Sequence, residues 1–257
     1  AASRGRVYTL VPRGIITLCG QRLEPDFVLP FYSHTRNKEV VAEDTELGID
    51  RRVFSNLFQQ DFNISLKSRM DDDGHELVLH ERLVGVPMAT TENLFQAAKC
   101  QVEADAMFTA TQLNGSGSAK YGQGRYKLND REKAWLVAHG ANEADFVKSG
   151  DGWKRTATGR VPLRRDWEEV KPFVMLHALR LKFIGTPLEK NLRFPRACFL
   201  VEHTGNDRQW GDNNDGSGMN KLGKLLSQLK LELELCRQLP LDLPLLDRPN
   251  AESVQYL

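Results

Sequence analysis

The chain has 257 residues, a formal net charge of +1, and 40% hydrophobic against 27% charged residues, enough for one sizeable core with embellishments and the basis for expecting a single domain over residues 1–257. No apolar run approaches the ~20 residues that a membrane span requires, and the opening AASRGRVYTL lacks the apolar core of a secretory signal. A soluble intracellular protein, of cytoplasm or nucleus and with no membrane partner, is therefore expected.

In chain order, residues 7–10 and 15–19 flank Pro12-Arg13-Gly14 like the arms of a hairpin, and residues 27–32 read as a strand interrupted by Pro30. Residues 68–74, SRMDDDG, are a polar loop. A helix begins near Thr91, its expected cap, and runs through Glu92, Phe95, Gln96, Lys99 and Val102. Glu92, Gln96 and Lys99 follow i, i+4, i+7 spacing, so a carboxyl, an amide and an amine share one face and can point into one pocket. The plainer alternative is that Lys99 pairs with Glu92 or Glu103 on the helix surface. Residues 114–118, NGSGS, read as a breaker, residues 130–139 as a short helix and residues 148–159 as a loop.

A second major helix starts around Asp166 or restarts at Pro172, with Val170, Val174, Ala178 and Leu181 on its buried stripe and Trp167 at its mouth. Residues 197–201 form a short apolar strand, followed by a Thr-Gly-Asn-Asp turn and the glycine-rich run 211–218. The last helix begins near Met219, and Leu222, Leu225, Leu226, Leu229 and Leu233 at helical spacing are core packing.

The small net charge hides an asymmetry. Residues 112–165 hold eleven Lys or Arg against five Asp or Glu, interleaved with Tyr121, Tyr126, Trp135 and Trp153. Basic residues mixed with aromatics suit a nucleic-acid backbone and its unstacked bases. The bland alternative is a solvated insertion balanced by the acidic tail after Leu231. Cys19, Cys100, Cys198 and Cys236 lie far apart, without the paired spacings of a zinc site, and read as buried thiols.

The stretch 200–212, LVEHTGNDRQWGD, puts acids, a histidine and a tryptophan into a segment too polar for a core. It leaves a strand, turns, and reaches a helix start, where pockets are commonly built. An aromatic face beside carboxylates is what a pocket needs to bind and cleave a flat, charged glycoside. Glu202 and His203 follow the strand directly; His203 reads as a proton carrier or, more simply, as a hydrogen-bonded structural histidine.

This stretch, with Gly216, Gly218, Asn220, Leu222, Gly223 and Leu226 after it, resembles the closing signature of the NADAR (YbiA-like) N-glycosidase family. Four further blocks agree in order: Phe31-Tyr32-Ser33, Phe54-Ser55-Asn56, residues 91–99 (TENLFQAAK), and residues 163–167 (LRRDW) running on through Val174-Met175 to Lys182-Phe183. Together they cover a signature region of residues 31–230. Relative to the compact form of that family, the chain is longer over residues 63–86 and 125–160, read as insertions. The resemblance implies an α+β, helix-rich single domain of the YbiA-like type, with a small antiparallel sheet or hairpins.

The resemblance also implies site residues. Glu92, Trp167, Asp207 and Trp210 match positions held to be functional in the family, and Tyr32, Ser55, Asn56 and Asp212 fall in matched blocks and are assigned to substrate binding. Ser55 and Asn56 would position hydroxyls or phosphates, or simply cap a turn. Trp167 and Trp210 have packing as their alternative role. Cleaving an N-glycoside requires protonation of the leaving group, stabilisation of positive charge at the anomeric carbon, and an activated water or an enzyme nucleophile. Glu92 and Asp207 suit that work. When the glycosidic nitrogen is an exocyclic amine the sugar ring opens to an imine, and a lysine exchanges with the leaving base through a Schiff base. Lys99 is the first candidate and Lys38 the second, the latter assigned to substrate binding.

Sharper-looking motifs fail on spacing. His75 and His80 stand five apart instead of four, GSGSAK at 115–120 lacks a dinucleotide fingerprint and a phosphate loop, and DNNDG at 212–216 has its glycine one position early for a calcium loop. No metal and no redox or other cofactor is expected. Family resemblance implies two substrates: ADP-ribose on the amino group of guanine in DNA or RNA, and phosphorylated ribosylamino-pyrimidine intermediates of riboflavin synthesis. The basic, aromatic segment favours the ADP-ribosylated nucleic acid. A non-catalytic module binding ADP-ribose or NAD is the alternative of a different class, and a structural interaction protein the third.

Overall fold

The computed structural model describes residues 16–18, 21–23, 27–31, 47–64, 81–194, 198–205 and 207–238. In chain order these hold strands β1 (Ile16–Leu18), β2 (Gln21–Leu23), β3 (Phe27–Phe31), β4 (Phe62–Asn63) and β5 (Pro87–Met88). Helices α1 (Thr91–Lys99), α2 (Glu103–Thr111), α3 (Gly115–Gly122) and α4 (Asp130–Ala138) follow, then a hairpin of β6 (Val147–Ser149) and β7 (Gly152–Lys154). Helix α5 (Trp167–Phe183), β8 (Cys198–Glu202) and α6 (Lys221–Gln238) complete the order. The architecture is α+β and helix-rich. Among the described residues no helix is long and apolar enough to cross a membrane.

Three of the strand pairs are antiparallel, as hairpins require, but β3 and β8 pair in parallel over Phe27↔Cys198 to Phe31↔Glu202, which a sheet of hairpins alone does not include. Pro30 does not interrupt β3. In a two-stranded ribbon each strand keeps an outer edge, where a missing N–H is tolerated. Leu29, Phe31, Leu200 and Val201 of this ribbon are buried, together with Leu222, Leu225, Leu226, Leu229 and Leu233 of α6, as helical spacing predicts for the last helix. Each such side chain contributes about 1.5–3 kcal/mol on burial. Gly223 lets α6 approach β8: a Cβ there would lie 2.0 Å from the Leu200 carbonyl oxygen.

Helix α1 is capped one residue earlier than the sequence reading has it. The Thr90 hydroxyl accepts from the Asn93 N–H at 3.2 Å, while the Thr91 hydroxyl donates to the Asn56 carbonyl. The helix ends at Lys99, and Val102 is the N-cap of α2 instead of a fourth turn of α1. The buried Asn93 amide donates to the carbonyls of Thr109 and Leu113 and to the Ser118 hydroxyl, all within 2.9 Å, and so ties α1 to α2 and α3.

Two expected loops are ordered structure. The NGSGS run opens α3: the Asn114 side chain accepts from Gly117 N–H at 2.8 Å, and small residues let α3 sit against α1, since a Cβ on Gly115 would meet the Thr90 hydroxyl at 2.8 Å. Close packing outweighs the low helix propensity of glycine and serine. Within residues 148–159, β6 and β7 form a hairpin around Gly150 and Asp151, with Gly150 at φ 64°.

Helix α5 is continuous from Trp167 through Pro172, with no restart at the proline. Its buried face differs from the predicted stripe: Val174 and Ala178 are buried as expected, but Met175, Leu179, Phe183 and the amines of Lys171 and Lys182 share it, and Val170 and Leu181 are only half-buried. Residues 125–160 are pinned to the core by a buried ion pair. Arg155 Nε donates to Asp105 Oδ1 at 2.8 Å, and the Tyr121 hydroxyl donates to the same oxygen at 2.5 Å. The arm at residues 7–10, the loop 68–74, His75, His80, Cys19, Tyr32 and Lys38 lie outside the described residues.

Candidate functional site

A cavity of about 420 Å³ opens between α1, α3, α5, the turn at residues 55–57, the end of β8 and the loop that follows it. Several elements bring chemistry to it. Helix α1 presents Glu92, Gln96 and Lys99 along one face, as the spacing predicts. Gln96 Nε2 donates to Glu92 Oε1 at 2.8 Å, and Lys99 Nζ donates to the Gly122 carbonyl at 2.9 Å and to Gln96 Oε1 at 3.3 Å. Gly122 is required for this line of contacts, because a Cβ there would stand 1.8 Å from Gln96 Oε1. Lys99 bonds into α3, not to a carboxylate on the helix surface.

The loop after β8 supplies Asp207 and Trp210. Asp207 Oδ1 accepts from the backbone N–H groups of Gln209 and Trp210 at 3.0 and 2.8 Å, so the carboxyl group builds the turn that carries the indole. Phe95 of α1 stands between two tryptophans, edge-on to Trp167 at 4.8 Å and to Trp210 at 5.2 Å between centroids. Both indoles thus have a packing role, and both also line the cavity. Ser55 and Asn56 line it as well; their turn is held by the Lys182 amine, which donates to the Ser55 carbonyl at 2.7 Å, and by the Glu92 N–H, which donates to Asn56 O. Lys182 is wholly buried, and that burial lowers its amine from 10.5 to about 7.

Asp212 is placed apart from the cavity lining. It is 3% exposed and its Oδ2 lies 2.7 Å from Nδ1 of the buried His203; its Oδ1 accepts from Asn214 N–H. His203 is accordingly the hydrogen-bonded structural histidine. The sequence-predicted Glu92, Lys99, Asp207, Ser55, Asn56, Trp167 and Trp210 all meet at one cavity.

Glu202, the last of β8, is named in the sequence reading but given no role there. It lines the same cavity, and its Oε2 is buried without a hydrogen-bond partner among the described residues. Burial, then the charges of Asp207, Glu92 and Asp212, push its carboxyl up to about 8. The signal in the sequence is an acid that continues a wholly apolar strand without a break. Glu168 and Lys171 of α5, joined as an ion pair, also line the cavity and were not anticipated. Among the described residues no group of three or more His, Cys, Asp and Glu side chains is arranged to hold a metal ion.

The electrostatics follow from crowding acids in a half-closed space. Burial raises the Glu92 carboxyl, assisted by Asp207 and opposed by Gln96 and Lys99. Burial lowers the Lys99 amine, against the pull of Glu92, which enlarges its neutral, nucleophilic fraction. One space therefore offers a proton-bearing carboxyl, negative charge to stabilise a cationic carbon, an amine and an aromatic wall.

The NADAR domain profile matches residues 46–234. N-glycosidase YbiA of Shigella boydii is 47% identical over 75 residues, which are 29% of this chain and 47% of that protein. The riboflavin biosynthesis protein PYRR, chloroplastic, of Arabidopsis thaliana is 44% identical over 71 residues, 27% of this chain and 12% of that protein. The match thus spans about half the length of the YbiA relative and far less of the plant protein. The NMR structure of Escherichia coli YbiA superposes with a TM-score of 0.53 at 25% identity, over 84% of this chain and 90% of that one.

Proposed function

The chain belongs to the NADAR domain family, and on that premise we propose that it is a hydrolase of N-glycosyl compounds whose substrate carries a ribose on an exocyclic amine. The observation that carries this reading is the convergence of Glu92, Lys99, Asp207 and Glu202 with Trp167 and Trp210 on one cavity. The aromatic wall takes the base. The acids stabilise positive charge as the C1–N bond weakens. Lys99, held by Gly122 O and Gln96, adds to C1 of the opened sugar and is released by water.

The favoured substrate is ADP-ribose on the amino group of guanine in DNA or RNA. Its support is the basic segment 112–165, which borders the cavity through Ala119 and Gln123 and keeps seven of its eleven Lys and Arg residues exposed. Those cations attract phosphates. Its aromatics are engaged within the fold: Tyr121 is buried, Trp135 stacks on His139 at 3.7 Å, and the Trp153 ring lies under Lys133 at 3.9 Å and Lys148 at 4.6 Å. The segment accordingly contributes charge, not base stacking. The second reading, a phosphorylated ribosylamino-pyrimidine, is favoured by the relatives named for riboflavin biosynthesis. Turnover of the two substrates side by side separates the readings: release of ADP-ribose from the oligonucleotide at the higher kcat/KM supports the first, and cleavage of the pyrimidine alone replaces it with the second. Binding of ADP-ribose with no turnover of either would make the chain a reader instead.

A further inference from the structure

We propose that Glu202 is the acid that protonates the departing amine, a role resting on the hydrolase reading and deepening it. Asp207 Oδ1 accepts from two backbone N–H groups, and Glu92 Oε1 accepts from the Gln96 amide. Such oxygens are held as acceptors. Glu202 Oε2 is sealed from solvent and meets no donor among the described residues, so negative charge on that oxygen would forgo both water and hydrogen bonds, while the half-buried residue still lines the cavity. A carboxyl group in that position is held in its protonated form.

The strand end that carries this carboxyl group is held on several sides. The Asn220 side chain bridges β8 and the start of α6, accepting from the Glu202 N–H and donating to the Leu200 carbonyl, both at 2.9 Å. Glu202 O accepts from Asp212 N–H, and the parallel ribbon sets Glu202 opposite Phe31. Among the described residues, charged and titratable neighbours approach from three elements. Glu92 and Lys99 come from α1, Glu168 and its partner Lys171 from α5, and Asp207 and the Asp212–His203 pair from the loop. Phe31 and Asn220, from β3 and the approach to α6, do not titrate. Glu92, Asp207 and Asp212 each oppose a second negative charge at Glu202.

The step balances. As the C1–N bond breaks, its electron pair passes to nitrogen, which takes the Glu202 proton and leaves as the neutral amine. Water then adds at C1 and surrenders one proton to the Glu202 carboxylate, restoring the acid. The same count holds when Lys99 holds C1 in between, since water still supplies the proton that the amine took away.

The test uses Glu202→Gln in the full chain with two ribosides, one bearing an exocyclic amine and one bearing 4-nitrophenolate, which leaves without protonation. The amine substrate should lose about 10²–10⁴-fold in kcat and the nitrophenyl riboside less than about tenfold. The wild-type rate should fall as pH rises through about 8, and the variant should lack that limb. Infrared difference spectra of wild type minus variant at neutral pH should show a protonated-carboxyl band, a readout independent of turnover. Equal loss on both ribosides, an unimpaired variant, or the absence of that band overturns the assignment alone. A wild type that cleaves no N-glycoside overturns the hydrolase reading and this role with it.

Discussion

Replacing Glu202 by glutamine exchanges a titrating group for a neutral one of nearly equal volume, so its effect on stability depends on pH in a way that packing alone does not. In the folded chain the carboxyl is pushed up to about 8, from an ordinary value of 4.5. Between those values the folded state holds a proton that the unfolded chain releases. Stability from Glu202 is therefore fully present below 4.5 and is lost as pH rises through about 8. The interval from 4.5 to about 8, at about 1.4 kcal/mol per pH unit, sets a ceiling of about 5 kcal/mol. Coupling to Glu92 and water in the cavity reduce this, and about 2–3 kcal/mol is expected. Urea unfolding of both proteins should show Glu202→Gln gaining stability relative to wild type by that amount between about pH 5 and pH 8.5, while losing activity. A difference that stays flat to within about 0.5 kcal/mol over that range would refute the reasoning.

Gly122→Ala should cut turnover at least about tenfold, because the new methyl displaces the Gln96 amide that bridges Glu92 and Lys99; overpacking of about 1–3 kcal/mol is partly offset by the ~1 kcal/mol helix preference of alanine, so urea unfolding should show only a small loss. Arg155→Met leaves the buried Asp105 charge with Tyr121 alone and should destabilise by about 3–5 kcal/mol, part of which the double variant with Asp105→Asn recovers on denaturant titration. Lys182 is lowered from 10.5 to about 7 in the fold, so the unfolded chain binds the extra proton and stability rises with pH across that window. Lys182→Met should remove that slope, and an unchanged slope would contradict the burial of a charged amine.

The face of α1 was legible because helical spacing alone puts Glu92, Gln96 and Lys99 in line, and the core leucines of α6 for the same reason. The pairing of Asp207 with Trp210 was legible as a motif, though not the means: an aspartate whose own oxygen caps the turn that carries the indole. Glu202 escaped because the burial of its Oε2 is a tertiary fact. It arises only when β3, distant in sequence, pairs with β8 and Asn220 clamps the strand end. The NGSGS run misled because glycine and serine are weak helix formers, yet α3 approaches α1 so closely that a Cβ at Gly115 or Gly122 would displace the Thr90 or Gln96 side chain. Asp212 illustrates the opposite limit: its motif position gives no sign that it faces His203 instead of the cavity. Tyr32 and Lys38 lie outside the described residues.

The most direct measurement is mass spectrometry of an oligonucleotide carrying ADP-ribosylated guanine, and of the phosphorylated ribosylamino-pyrimidine, each incubated with wild type and with Glu92→Gln. The oligonucleotide should lose the ribosyl mass with wild type and not with the variant. Both substrates unchanged by wild type would contradict the claim that this cavity hydrolyses an N-glycosidic bond.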